Sequence, residues 1–236
     1  MKNILYILLG LLICNGCQKD IISQQTMKPN PVFGTVTDID NNVYKTVTIG
    51  EQTFMAENLR TTHLNDSTPI PEVMSNSGWE NLSSAAMCWY NNDSTTNNEP
   101  YGSLYNWYTV RTEKICPIGW SVPSHYNWEA LFTYIGGDSI AGSKLKDVDT
   151  LYWKSPNVRA TNEWGFDAKG SGWRDYAGEF GSLKTFGFWW CSDESDAIDL
   201  QDSRYMTINF NSAAALIGAY PWTAGQSIRC MKNSNE

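Results

Sequence analysis

The sequence predicts an α+β domain, in which a helix-forming centre lies between two regions rich in β-strand residues. In the centre, apolar side chains recur at the i, i+3, i+4 and i+7 spacing of one helix face: Trp128, Leu131, Phe132 and Ile135. On the N-terminal side, residues 32–37 and 43–49 are rich in β-branched residues. Strand-like runs return towards the C-terminus at residues 187–192, 204–209 and 227–231.

The central helix has a start signal and a stop signal. Ser124 follows Pro123 at the N-cap position, and Gly136-Gly137 follows the last apolar position. A first, shorter helix is predicted within residues 101–110, because Leu104, Trp107 and Tyr108 repeat the helical spacing. The segment between the two, residues 116–120 (CPIGW), is predicted to be a turn, since its proline lacks an amide donor and its glycine favours turns.

The remaining elements follow from turn residues and local pattern. A three-strand meander is predicted over residues 32–37, 43–49 and 53–55, with a turn at residues 38–42 (DIDNN). Further along the chain we expect a loop at residues 61–84, a short strand at 86–90, a polar surface loop at 91–98, a turn with a short helical segment at 141–153 and a loop-rich region at 155–187.

The N-terminus resembles the signal sequence of a bacterial lipoprotein. A basic start is followed by a short apolar run, residues 4–13, which is too short to span a bilayer. A glycine then precedes Cys17, the predicted site of lipidation. We therefore expect a signal peptide at 1–16, a flexible tether at 17–31 and a single domain at 32–233. An ordinary cleaved secretory signal and a retained helical anchor are the alternatives.

Charge and cysteine content exclude several classes of function. The formal net charge is −8, which argues against nucleic acid as a partner. The cysteines that follow Cys17 form no CxxC motif, and the chain has only two histidines, so few residues are available for a metal centre or a histidine-based triad. Four cysteines follow the lipidation site, and an even number in an exported chain predicts two disulfides with three alternative connectivities: Cys88, Cys116, Cys191 and Cys230.

Several segments together resemble one family, the Fibrobacter succinogenes major paralogous domain, which is common in exported proteins of Bacteroidota and Fibrobacterota. They occur in the family's order and spacing over about residues 33–233: TVTIGEQTFMAENLR (46–60), CWYNND (88–93), YGSLYNWYTV (101–110), CPIGWSVPSHYNWEAL (116–131), AGSKLKD (141–147), GFDAKGSGWRD (165–175), FWWCS (188–192) and SIRC (227–230). The family supplies no established activity.

The resemblance carries expectations about the fold and the disulfides. The closing S-x-R-C pattern is similar to that of formylglycine-generating-enzyme and C-type-lectin-like folds, which implies two central helices, short antiparallel sheets, long loops and a meeting of the first and last strands. It also implies a disulfide between Cys116 and Cys230, as in a lectin-type staple. Cys88–Cys191 is then the remaining pair.

Two sets of residues are candidates for ligand contact. Tryptophans could form a platform on which sugars stack: Trp173, Trp189, Trp190 and Trp222. Trp189 and Trp190 are adjacent in a predicted strand, so they face opposite sides, and the exposed one is the better candidate. A second set could supply oxygen ligands to calcium and partly resembles lectin-type sites: Asn91, Asp93 and Glu99.

These observations predict a non-catalytic protein of the cell envelope, held by a lipid anchor at the outer membrane or cell surface, that recognises a glycan or another envelope protein. No cofactor is required, and calcium is the one metal that the polar residues suggest. Two alternatives from other classes remain: an enzyme that acts on polysaccharide or peptide, and a structural component of an adhesin or fimbrial assembly.

Overall fold

The structure, a computed structural model, describes residues 30–196 and 201–234. The predicted signal peptide, Cys17 and nearly all of the tether lie outside these residues. The strands are β1 Val32–Thr37, β2 Val43–Ile49, β3 Gln52–Met55, β4 Met87–Cys88, β5 Leu104–Tyr105, β6 Trp120–Ser121, β7 Ser171–Arg174, β8 Phe180–Leu183, β9 Phe186–Glu194, β10 Asp202–Asn209, β11 Ala215–Pro221 and β12 Met231–Lys232. The helices are α1 Asn76–Glu80, α2 Ser94–Tyr101, α3 Trp107–Val110, α4 His125–Tyr134 and α5 Asp138–Leu145.

The strands form two five-stranded sheets and one two-stranded sheet, so the α+β class is confirmed. The first sheet has the order β1-β2-β3-β12-β6 and the second the order β11-β10-β9-β7-β8, while β4 pairs with β5. All pairings are antiparallel except that of β7 with β9. Because β12 lies between β3 and β6, the beginning and the end of the described chain meet in one sheet. In these residues no helix is long and apolar enough to cross a membrane.

The predicted meander and central helix are both confirmed. In the meander, Phe33 pairs with Val47, and Val47 pairs with Phe54 on the next strand. At the start of α4 the Ser124 hydroxyl accepts from the Asn127 amide, and the Asn127 side chain accepts from the Ser124 amide. Such a capping box satisfies two donors that a helix N-terminus leaves free, a contribution of about 1 kcal/mol.

The predicted helix at residues 101–110 is wrong in its first half. Leu104 and Tyr105 form β5, which pairs with β4, and only residues 107–110 are helical. The Asn106 side chain accepts from the Thr109 amide and starts this short helix. Leu104 and Trp107 have helical spacing although Leu104 lies in a strand and Trp107 in the following helical turn. The pairing of Leu104 and Tyr105 with β4 makes this part of the segment a strand and not a helix.

Other departures from the predictions lie in polar or irregular segments. The predicted polar loop at 91–98 contains most of α2, whose N-cap is Asp93. The predicted loop at 61–84 contains α1, and the loop-rich region at 155–187 contains β7 and β8. Strand β11 was not predicted. It forms the edge of the second sheet through seven pairings with β10, such as Tyr205 with Gly218.

Two buried cations hold irregular segments together. Lys146 is fully buried, and its ammonium donates to three backbone carbonyls, those of Val158, Asn209 and Ser212, at 2.9–3.1 Å. Burial lowers the pKa of Lys146 to about 8, so the amine carries its proton at neutral pH. Arg174 is equally buried, donates to the carbonyls of Val73, Met74 and Gly178, and is flanked by aromatic rings of Trp79 and Phe180.

The cysteines form one disulfide, not two, in the described chain. Cys116 and Cys230 are bonded, with their Cα atoms 5.9 Å apart, which confirms the bridge between the turn before α4 and the end of the chain. Cys88 and Cys191 are free and belong to different core clusters, so the predicted Cys88–Cys191 pair is wrong. Burial raises the pKa of the Cys88 thiol to about 12 and that of Cys191 well above its usual value. Both behave as small apolar side chains.

Replacing Lys146 by methionine is expected to destabilise the protein by about 3 kcal/mol, because three buried carbonyls lose their donor while side-chain volume is nearly retained. Urea unfolding measures the difference. Lys144→Met is the matched control: Lys144 forms a partly exposed ion pair with Glu163 at 3.0 Å, and its loss should cost less than about 1 kcal/mol. Equal effects of the two substitutions would contradict a special role for the buried amine.

Alkylation of the denatured but unreduced protein, followed by peptide mass mapping, should modify Cys88 and Cys191 and leave Cys116 joined to Cys230. A linked Cys88–Cys191 peptide would refute the assignment. The Cys116→Ser, Cys230→Ser double variant should be less stable by roughly 4–5 kcal/mol, because the bridge joins residues 114 positions apart.

Candidate functional site

Six aromatic side chains form a continuous patch on the outer side of the second sheet. We call it the aromatic face: Trp173, Tyr176, Phe186, Phe188, Tyr205 and Tyr220. Phe186 and Phe188 alternate along β9 and therefore point to the same side of the sheet. The cross-strand partner of Tyr205 is Trp190, which lies on that same side. Strand alternation thus collects rings from four strands and one loop on one surface.

The rings are held in fixed orientations by one another. Trp173, Phe188 and Phe186 form a stack with centroid separations of 5.0 and 5.4 Å. Tyr220 lies 4.6 Å from Trp173, at a tilt of 44°. Tyr205 leans across β11 over Gly218, where an added Cβ would lie 2.6 Å from the ring. A residue larger than glycine at 218 would displace this ring, so the glycine sets the shape of the surface.

The aromatic face carries hydrogen-bonding groups beside its rings. Tyr176 is 51% exposed, and Tyr205 and Tyr220 are partly exposed. Burial is the main cause that raises the pKa of Tyr220, and the nearby carboxylates of Asp175 and Asp202 raise it further. Burial likewise raises the pKa of Tyr205. These two hydroxyls therefore keep their protons at neutral pH and can both donate and accept.

The structure separates the four tryptophans that the sequence suggested as a platform. Trp189 and Trp190 are fully buried, on opposite sides of β9, so the expectation that one of them is exposed is wrong. Their indoles donate to the Asn58 side chain and the Tyr105 carbonyl. Trp222 is only 8% exposed and stacks on Trp107. The second sheet is covered on both sides where Trp189 and Trp190 lie. Of the four tryptophans only Trp173, in the aromatic face, is partly exposed.

The proposed calcium ligands have other partners in the structure. The Asp93 carboxylate accepts from the Thr96 amide at 3.1 Å and caps α2, and this bonding lowers the pKa of Asp93. Glu99 forms an ion pair with Arg60 at 3.6 Å. Asn91 occupies a turn with a positive φ of 54°. Over the described part of the chain, no three His, Cys, Asp or Glu side chains cluster as a metal site would require. Calcium binding stays a prediction.

A cavity of about 670 Å³ lies beside the disulfide, between α3, β6 and the end of β9. We call it the Trp107 cavity. Five buried apolar side chains form its floor: Trp107, Val110, Ile115, Cys116 and Val122. Its rim carries three charged side chains, Arg111, Glu113 and Glu194, together with serine and asparagine side chains.

Glu113 and Glu194 are the two carboxylates that line this cavity, and an enzyme that hydrolyses polysaccharide needs such a pair. Both side chains are exposed. Neither therefore lies in an enclosed cleft of the kind that surrounds a scissile sugar bond. The geometry gives no specific support for hydrolysis, and catalytic activity remains an untested alternative.

Sequence reasoning missed most of the aromatic face. Tyr176, Phe186, Tyr205 and Tyr220 are spread along the chain from residue 176 to residue 220, and only the sheet brings them together. The one local signal was the alternation of Phe186 and Phe188, which places both rings on one side of a strand. The charged rim of the Trp107 cavity gave no sequence signal, because Arg111 and Glu113 lie in one segment and Glu194 in another, far along the chain.

The fold and these surfaces define an α+β domain whose terminal strand is fastened by a disulfide to the turn before its main helix. The model of the Fibrobacter succinogenes major domain family matches residues 47–232. The chain belongs to that family, as its sequence motifs predicted. Comparison with curated proteins and with solved structures gave no match.

Proposed function

We propose that this protein binds neutral glycans at the bacterial cell envelope through the aromatic face and has no catalytic role. The observation that carries the proposal is the continuous patch of aromatic rings, all but Phe188 at least partly exposed, together with its protonated tyrosine hydroxyls. Sugar rings offer C–H groups to aromatic side chains and hydroxyl groups to polar neighbours, and the aromatic face presents both kinds of partner.

The charges near the face favour a neutral ligand over an anionic one. Asp175 and Asp202 lie close enough to influence the Tyr220 hydroxyl. Carboxylates in this position repel uronic acids and sulfated sugars but can accept hydrogen bonds from sugar hydroxyls. The net charge of −8 supports the same preference at longer range.

The cellular setting of the proposal rests on the N-terminus and the family. The apolar run before Cys17 supports export and lipidation, which would place the domain on a short tether at the outer membrane or cell surface. Membership of the family supports a surface-associated role. We also propose a lectin-like arrangement of the fold, supported by the disulfide from Cys116 to Cys230 and by the pairing of β12 with β3.

A glycan array with the oxidised protein tests this function. We expect binding to neutral glycans that is greatly reduced in Tyr176→Ala, because the exposed ring loses its contact with the sugar while the core is untouched. Tyr126→Ala is the matched control: Tyr126 is 69% exposed and lies outside the aromatic face, so binding should be unchanged. Trp173→Ala should also reduce binding, with folding checked by thermal unfolding.

The same array separates the remaining mechanisms. Binding that persists in EDTA supports aromatic contacts, whereas binding that needs calcium and is lost in Asp93→Ala would favour the loop at Asn91, Asp93 and Glu99 instead. Absence of glycan binding in both conditions, or equal loss in Tyr176→Ala and Tyr126→Ala, would refute the proposed function.

A further inference from the structure

The Trp107 cavity is large enough for a ligand of its own. Its volume of about 670 Å³ lies within the range of small-ligand pockets, roughly 300–1,000 Å³. A second cavity of about 330 Å³ adjoins it, since Asn127 and Asn233 line both. The two cavities are therefore neighbours beside the first turn of α4, and we call the region that they share at Asn127 and Asn233 the adjoining path.

The floor of the Trp107 cavity suits an aliphatic or aromatic side chain. Val110, Ile115 and Val122 contribute branched aliphatic groups to the lining, and Trp107 and Trp120 contribute aromatic rings. The Trp107 ring is stacked on Trp222 at 4.7 Å, and its indole donates to the Cys191 carbonyl, so its orientation is fixed. The floor is therefore rigid before any ligand arrives.

The rim offers charges and amide groups. The Arg111 guanidinium lies 5.1 Å from the centre of the Trp222 ring, which holds it at the edge of the cavity. Glu113 and Glu194 line the same cavity and are exposed. The Asn127 and Asn233 side-chain oxygens already accept protein hydrogen bonds, from Ser124 and Ser121, so the amide nitrogens are the groups left to donate to a ligand.

We infer that the Trp107 cavity binds a peptide segment, with an apolar side chain on the floor and a neighbouring lysine or arginine at the rim. Two carboxylates against one guanidinium favour a basic residue in the partner. The asparagine amides match peptide carbonyls along the adjoining path. A neutral glycan could form hydrogen bonds with these groups but would bring no opposite charge to them. The protein would then hold a glycan on one surface and a protein partner on another.

Selection from a displayed library of random dodecapeptides tests this inference. We expect enriched peptides that share an apolar residue next to a lysine or arginine. Ser192→Trp should weaken their binding about tenfold or more, because an indole at this exposed lining position fills the cavity. Ser83→Trp, at an exposed serine outside the cavity, is the matched control and should bind as the unmodified protein does. Glu194→Lys should weaken binding, more strongly at low salt.

The outcome is independent of the proposed glycan function. Tyr176→Ala should abolish glycan binding and leave peptide binding intact, while Ser192→Trp should do the reverse. Absence of enrichment, or enriched peptides that bind Ser192→Trp as tightly as the unmodified protein, would overturn the peptide site. A glycan whose binding is lost in Ser192→Trp but kept in Tyr176→Ala would overturn the peptide class and assign the cavity to sugar.

Discussion

The fold depends on one buried charge, the guanidinium of Arg229, which is 1% exposed. Its Nε donates to the Asn58 side chain at 2.8 Å, and its other nitrogens donate to the carbonyls of Phe166 and Asp167. The ring of Phe166 lies 4.3 Å from it, and Trp189 also donates to Asn58. Burial lowers the pKa of Arg229 to about 10, so the charge persists at neutral pH. Because a buried cation is tolerated only when its donors are satisfied, these distant segments must meet around it.

This constraint explains why the two sides of the second sheet differ. The Trp189 indole donates to Asn58 and is buried on one side of the sheet. The neighbouring Trp190 donates to the Tyr105 carbonyl and is buried on the opposite side, beneath the segment that contains Tyr105. Nearer the start of the same strand, the buried Phe188 stacks on the partly exposed Phe186, and both belong to the aromatic face. One strand thus supplies the core at one end and a surface at the other. The next residue after Arg229, Cys230, is tied to Cys116, which also lines the Trp107 cavity.

Local chemistry explains which elements could be predicted. Helix α4 has a cap, an apolar face and a stop within fourteen residues, and the meander has alternation and a turn cluster. Helix α2 was not predicted, because it is polar, contains Pro100 and shows no apolar face in its sequence. Residues 104–105 were misassigned because their spacing fitted a helix, while their partner strand β4 lies sixteen residues earlier. The even number of cysteines led to the wrong prediction that Cys88 and Cys191 form a disulfide, because a count cannot distinguish bonded cysteines from buried free thiols.

The sequence by itself determined the family, the α+β class, the meander, the capped central helix and the Cys116–Cys230 bridge, because each depends on residues close in the chain or on a family motif. Only the tertiary structure decided which tryptophans are buried, which rings form the aromatic face and which charges surround the Trp107 cavity. These properties depend on strands and loops far apart in sequence, whose contacts are fixed by sheet pairing and by buried cations such as Arg229 and Lys146.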